Sequence, residues 1–260
     1  MKKMHLIWLT ILLIAGCLAG CDTATDPEAT TKPPTEESTE EPTEENTRGT
    51  EENIVYEGDA SSYYIDVVYA EQIARYDAAL TEQWDEGKYL EQGMSALPTA
   101  YYQGDPQNNV GFGFTDLDND GRWELLIGAI LDAETDPAVF EIWTLVDDKP
   151  VMLVQADAEN HYFLQYVEED CAWYVVNEAS NGTTSRGTYY LMLVDGALNI
   201  MQGIVYHPEA DAKNPWFMTY DQDWDISNDE PIDEETANAI LESNRKHNTA
   251  LEYFPYILYR

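Results

Sequence analysis

The sequence predicts an α+β domain: an antiparallel β-meander with an amphipathic N-terminal helix and a short C-terminal helix. Three observations carry that expectation. Apolar residues recur at helical intervals from Tyr63, short apolar runs then alternate with turn residues, and Asp233-Glu234-Glu235-Thr236 reads as a helix start.

Ile65, Val68, Ile73, Tyr76, Leu80 and Trp84 recur at three- and four-residue spacing within a segment running to about Met94. Asp66, Glu71, Arg75, Asp77 and Glu82 fill the opposite face, and Gly87 marks the expected break. Gly111–Phe114 and Leu125–Gly128 read as strands on either side of an acidic loop. Further strands are expected at Val139–Val146 and Val151–Gln155, around Asp147-Asp148-Lys149-Pro150, and at Tyr162–Val167 and Ala172–Val176. Ser180–Ser185 reads as a loop, and Asp195-Gly196 as a hairpin turn between Thr188–Val194 and Ala197–Tyr206. Sequential short strands joined by tight turns give a meander. Asp233 would cap a helix reaching about Asn248, with acids favoured in its first turn, and the apolar tail Leu251–Tyr259 would dock on the sheet.

The acidic loop is the chemical centre of the sequence. Asp116, Asp118, Asp120 and Glu124 occupy positions 1, 3, 5 and 9, with Gly121 at position 6 and the carbonyl of Arg122 at position 7. Alternate oxygen donors with a glycine at the reversal are how a chain surrounds a hard cation, so these five residues are the candidate calcium ligands. Ile127 stands where an EF-hand needs a bidentate Glu, which excludes a standard EF-hand. The metal-free alternative is a polar turn. The string Phe114-Thr115-Asp116-Leu117-Asp118-Asn119-Asp120-Gly121-Arg122-Trp123-Glu124-Leu125-Leu126-Ile127 resembles the calcium loop of FG-GAP/VCBS-type repeats, in which the loop joins two strands. Taken with its N-terminal segment, the chain is also similar to a group of lipoproteins of Gram-positive bacteria. No second full copy of the loop exists, which does not support a propeller.

Residues 1–20 read as a lipoprotein signal peptide. Met1-Lys2-Lys3 is basic, and the apolar Leu6–Leu18 stretch is too short to span a bilayer. Leu18-Ala19-Gly20-Cys21 has the form of a lipobox, so Cys21 is the expected lipidation site; Ile14-Ala15-Gly16-Cys17 is a second candidate. Loss of Cys17 and lipidation of Cys21 leave Cys171 alone, excluding an intramolecular disulfide. Residues 21–58 are rich in Thr, Glu and Pro and read as a disordered tether, and residues 59–260 as one globular α+β domain. The sequence thus predicts a position on the extracytoplasmic membrane face, held by N-terminal lipid alone.

The chain carries a net charge of −37, with about −29 falling in residues 59–260. That charge disfavours nucleic acid as a partner and suits cations or a basic protein, with a cell-wall glycan as a further partner class. Asp221, Asp223, Asp225 and Asp229 repeat the acidic spacing, but Ile226 stands in the glycine position, so a polar loop is expected. His161 with Cys171 is a weak nucleophile–base candidate, because Cys171 on a strand would be a small buried hydrophobe. His207 and His247 lack partners at zinc spacing, and Gly-x-Ser-x-Gly is missing. The expectation is therefore a non-enzymatic binding or adhesion protein; the alternative is an envelope hydrolase or carbohydrate-binding module using acids and Trp143, Trp173, Trp216 and Trp224.

Lipidation at Cys21 has a direct test. Cys21→Ala is expected to abolish lipid labelling and release or misprocess the protein. Labelling lost only in Cys17→Ala would move the site, and membrane retention unchanged in Cys21→Ala would refute it.

Overall fold

The computed structural model describes residues 60–130, 138–249 and 253–259. The signal segment, Cys21 and the tether lie outside the described residues, as do Leu251 and Glu252 of the expected tail. Within them the architecture is α+β: a large antiparallel sheet with a few helices. No helix among the described residues is long and apolar enough to cross a membrane.

The chain enters through a helical turn, α1 (Ala60–Tyr63), that runs into a π-helical segment at Tyr64–Val68. Helix α2 (Ala70–Glu82) buries Ile73, Tyr76, Ala79 and Leu80. The break falls at Gln83 rather than Gly87: Gln83 takes φ 50°, where its amide meets the carbonyls of Ala79 and Leu80. Asp85 then caps α3 (Glu86–Glu91) by accepting from Lys88 N at 2.9 Å, which places Gly87 inside a helix. A capping carboxylate three residues before a free amide outweighs the helix cost of glycine. A 3₁₀ turn (Leu97–Tyr101) and α4 (Pro106–Asn109) lead into the sheet.

The strands are β1 (Val110–Thr115), β2 (Glu124–Ala129), β3 (Val139–Val146), β4 (Lys149–Gln155), β5 (Asn160–Val167), β6 (Ala172–Asn181), β7 (Ser185–Val194), β8 (Ala197–Tyr206), β9 (Trp216–Thr219), β10 (Glu230–Pro231) and β11 (Phe254–Pro255). Their order is β10-β9-β8-β7-β6-β5-β3-β2-β1-β11, with β4 also paired to β3. Helix α5 (Glu234–Arg245) comes after β10, with the Asp233 carboxylate accepting from Thr236 N at 2.7 Å.

Turn chemistry accounts for the hairpins. Asp147 and Asp148 take φ 50° and 58°, and Asp195 and Gly196 take 51° and 74°, the left-handed pairs of two-residue hairpin turns. Lys149 and Pro150 consequently belong to β4, opposite Val146 and Leu145. The expected loop at Ser180–Ser185 shrinks to three residues, because the β6–β7 ladder continues through Ser180↔Arg186 and Asn181↔Ser185. Cys171 also departs from expectation. It sits exposed in the β5–β6 turn at φ 50°, one residue before β6 begins, and is not a buried strand residue.

Strand β3 divides one edge between two partners. Glu141–Val146 pair with β4, while Val139 pairs with Tyr162 of β5. The far half of β5 is completed by the segment after α5: Thr249 N donates to Leu164 O at 2.9 Å, and Tyr166 N donates to Thr249 Oγ1 at 3.0 Å.

Three apolar clusters hold the layers. Helix α2 packs Tyr69, Ile73, Tyr76 and Leu80 against Phe112, Leu125, Ile127, Phe140 and Tyr256. On the other face of the sheet, Leu126, Ile142, Leu164, Val175, Leu191 and Val205 form a second cluster. Strand β2 is buried throughout, which is why Leu125-Leu126-Ile127 reads as an unbroken apolar run. The third cluster seats Ala237, Ile240 and Leu241 of α5 on Ile204 and Trp216.

Gly111 and Gly128 face each other across β1 and β2 beneath Tyr253. A Cβ on Gly128 would lie 2.5 Å from the Tyr253 hydroxyl and 2.6 Å from the backbone oxygen of Ala138. Gly128→Ala is therefore expected to cost about 1–3 kcal/mol, read from denaturant unfolding. An unchanged midpoint would show that Tyr253 and the β3 entry shift freely.

Candidate metal centre

The loop Asp116–Trp123 closes the β1–β2 hairpin immediately beyond its last pair, Thr115↔Glu124. Asp116 nucleates it, its two carboxylate oxygens accepting from Asp120 N at 3.1 Å and Gly121 N at 3.0 Å. Asn119 at φ 59° and Gly121 at φ 85° supply the reversals. Asp118 accepts from Asp120 N at 3.3 Å. One carboxylate oxygen from each of Asp116, Asp118 and Asp120 lies within 4.8 Å of the others, the only such metal-competent group among the described residues. Oxygens sharing one Ca²⁺ at 2.3–2.6 Å lie no more than about 5 Å apart, so the three are spaced to hold a metal ion.

Electrostatics agree with that geometry. Partial burial, then the neighbouring Asp120 and Asp116 carboxylates, push the Asp118 carboxyl up. Asp120 goes the other way overall: burial works against the shift, but hydrogen bonds from Arg122 hold its carboxyl below the ordinary value. The Arg122 guanidinium lies 2.7 Å from Asp120 and 3.7 Å from Asp148 in the β3–β4 turn. Arg122 thus contributes a side chain that competes with a cation for Asp120, which the sequence reading of its carbonyl did not anticipate.

Glu124 stands apart from the three aspartates. It is 2 % exposed, with Oε2 accepting from Leu117 N at 2.8 Å and Oε1 accepting from Thr144 Oγ1 at 2.9 Å. Burial above all pushes its carboxyl up to about 7, with smaller contributions from Asp118 and Asp120. It clamps the base of the loop to β3.

The loop is braced from outside by residues to which the sequence reading gave no role at the loop. Trp123 N donates to the Tyr64 hydroxyl at 3.1 Å, and the Tyr69 hydroxyl donates to Trp123 O at 2.9 Å. The Tyr64 and Trp123 rings stack 5.2 Å apart. Leu117 is buried in the second cluster. No local signal pairs Tyr64 with Trp123, since their contact arises only once the π-helical segment meets the hairpin.

The other candidates separate. Asp221, Asp223 and Asp225 form successive turns in which Asp223 accepts from Asp225 N at 2.8 Å and Asp225 from Ser227 N at 3.0 Å, while Trp224 takes φ 61°. His161 pairs across from Glu178, at the opposite end of the β5–β6 hairpin from Cys171. His207 Nδ1 lies 2.9 Å from Ser185 Oγ, a pairing that the sequence reading missed; Ser185 is buried and no carboxylate is hydrogen-bonded to His207 among the described residues. Trp143 and Trp216 are buried in different clusters, so the four tryptophans do not share one groove. No family model matches the chain, and neither a curated protein nor a solved structure is significantly similar to it. The FG-GAP/VCBS and lipoprotein resemblances therefore rest on the quoted residues.

The Glu124 carboxyl sets a pH dependence for the metal-free protein. Its folded value of about 7 exceeds the ordinary 4.5, so the folded state binds the proton more tightly. That contribution is present at acid pH and lost as pH rises from about 4.5 to about 7. In chelator, the melting temperature of Glu124→Gln is expected to fall less over that interval than the wild type's. Parallel curves would show that Glu124 does not carry the dependence.

Proposed function

We infer that the protein is a lipid-anchored extracellular surface protein whose domain is braced by calcium and serves in binding or adhesion. The observation that carries the metal assignment is the convergence of Asp116, Asp118 and Asp120 within 4.8 Å. Calcium suits an all-oxygen donor set better than metals preferring nitrogen or sulfur. Asp116, Asp118 and Asp120 would be the side-chain ligands and Arg122 would add its carbonyl, while Glu124, whose two oxygens are engaged by Leu117 and Thr144, would hold the base of the loop behind them. The ion's task is structural: it offsets the mutual repulsion of the aspartates and stiffens the tip of a hairpin bolted to Tyr64 and Tyr69. The strongly negative domain favours a basic protein as partner and disfavours nucleic acid, and a cell-wall glycan is the other partner class proposed.

The alternative, an envelope hydrolase, has less support. Ser185–His207 lacks an orienting acid among the described residues, and His161 and Cys171 lie at opposite hairpin ends. A carbohydrate-binding role remains compatible with the binding reading.

Calcium at ten times its dissociation constant stabilises a folded state by about 1.4 kcal/mol, which for a domain of this size raises the melting temperature by about 3–6 °C. Millimolar calcium is expected to produce that rise and chelator to reverse it. Magnesium should do less, because it needs a smaller octahedral shell. Asp118→Ala should abolish the response and Asp223→Ala should preserve it. Identical melting in calcium and chelator, with no heat of binding, would leave the loop a turn.

A further inference from the structure

Helix α5 seats its apolar residues on Ile204 and Trp216, and beside it lies a groove of about 440 Å³. The floor comes from β5–β9 and one wall from α5. Cross-strand register explains the floor. Ser180, Arg186, Tyr206 and Trp216 lie opposite one another along successive strands, and His161, Glu178, Thr188 and Ile204 form the adjacent row on the same face.

Arg186 is the unusual member. Its guanidinium packs over the Tyr206 ring at 5.0 Å and the Trp216 ring at 5.7 Å, yet among the described residues it joins no ion pair. Arg75, Lys149, Lys213 and Lys246 also join no ion pair among the described residues, and what sets Arg186 apart is that its guanidinium lies over two aromatic rings in the lining of a groove. Aromatic packing holds the guanidinium plane, and its N–H edge is then free for a planar carboxylate, which it can take with two parallel hydrogen bonds. A second guanidinium, Arg245, lines the same groove and reaches Glu178 only at 3.9 Å, with both side chains well exposed.

We propose that this groove binds a carboxylate-bearing sugar, with Arg186 holding the carboxylate. Its volume lies within the range of small-ligand sites. Half-buried Phe163 offers an apolar face for the C–H side of a sugar ring, while Thr188, Asn238 and Glu178 supply hydrogen-bonding groups for ring hydroxyls. This mixture distinguishes the site from a fatty-acid pocket, which would be apolar around the rim. Arg186 and Arg245 offset Glu159 and Glu178 in the lining, so the groove lacks the strong negative charge of the rest of the domain. The inference names a ligand class for the binding role proposed above and rests on that role, but not on the metal.

The test is calorimetric titration of the full chain with galacturonate and glucuronate, set against galactose, glucose and acetate. At least one uronate should bind at least about tenfold more tightly than its neutral counterpart and than acetate, and Arg186→Gln should lose about tenfold or more of that affinity. Lys213→Gln, an exposed site outside the groove, should bind as the wild type does. Arg186→Lys, which keeps the charge and loses the two-pronged edge, should also weaken binding. Should Arg186→Gln fail to fold, uronate-induced NMR shifts at Thr188 and Asn238 of the wild type decide the site, their lack overturning it. Equal affinity for neutral sugar or acetate, full binding by Arg186→Gln, or no uronate binding at millimolar concentration overturns the proposal. The calcium melting shift, recorded on the same samples, separates this failure from failure of the metal assignment.

Discussion

The arrangement of the domain depends on the edge that β3 must share. A strand has one ladder of amides and carbonyls on each side, and β3 gives most of one side to β4 and only Val139 to β5. Half of β5 is left needing partners, since unpaired backbone groups inside a sheet are costly. The chain solves this with Asn248 and Thr249, which pair with Gln165, Leu164 and Tyr166. Those residues come directly after α5, so completing the β5 edge also fixes where the helix ends. The helix then covers Ile204 and Trp216 but not the middle of the sheet, and the groove is the remainder.

At the other end of the sheet the controlling problem is charge. Asp116, Asp118 and Asp120 converge while Glu124 sits buried behind them. Without a cation, two of these carboxyls are pushed towards protonation, and Arg122 offsets only Asp120. A divalent ion would do for the three aspartates together what protons do singly, and at neutral pH. The amide hydrogen bonds to Asp116 and the tyrosine contacts to Trp123 keep the loop near its binding geometry beforehand, so little ordering cost would remain for the ion to offset.

How much of the fold is legible in the sequence depends on how local each signal is. Strands β3 and β8 have the boundaries their patterns suggest, because Asp147-Asp148 and Asp195-Gly196 state both the turn and its length. Asp233 likewise announces α5. The aspartate triad is legible because its spacing is its geometry. Sequence and structure part where a more distant partner decides. Gln83, not Gly87, ends α2 because Asp85 can cap α3 immediately beyond it. Cys171 is exposed because the β5–β6 turn reaches one residue further than alternation suggests. The fork at β3, the Tyr64–Trp123 stack and the Glu124 hydrogen bond to Thr144 join residues far apart in sequence, and no window of residues contains them.

The pairing of β11 with β1 has a temporal consequence. Phe254 and Pro255 complete the outer edge of the first strand, and Tyr256 fills the core under α2. During synthesis, β1 emerges long before the residues that cover it. Its apolar edge and the unfilled space beneath α2 must wait for Phe254, Pro255 and Tyr256, far downstream, and closing so long a loop is slow. Until those residues dock, the β1 edge is the place where a neighbouring chain could pair instead.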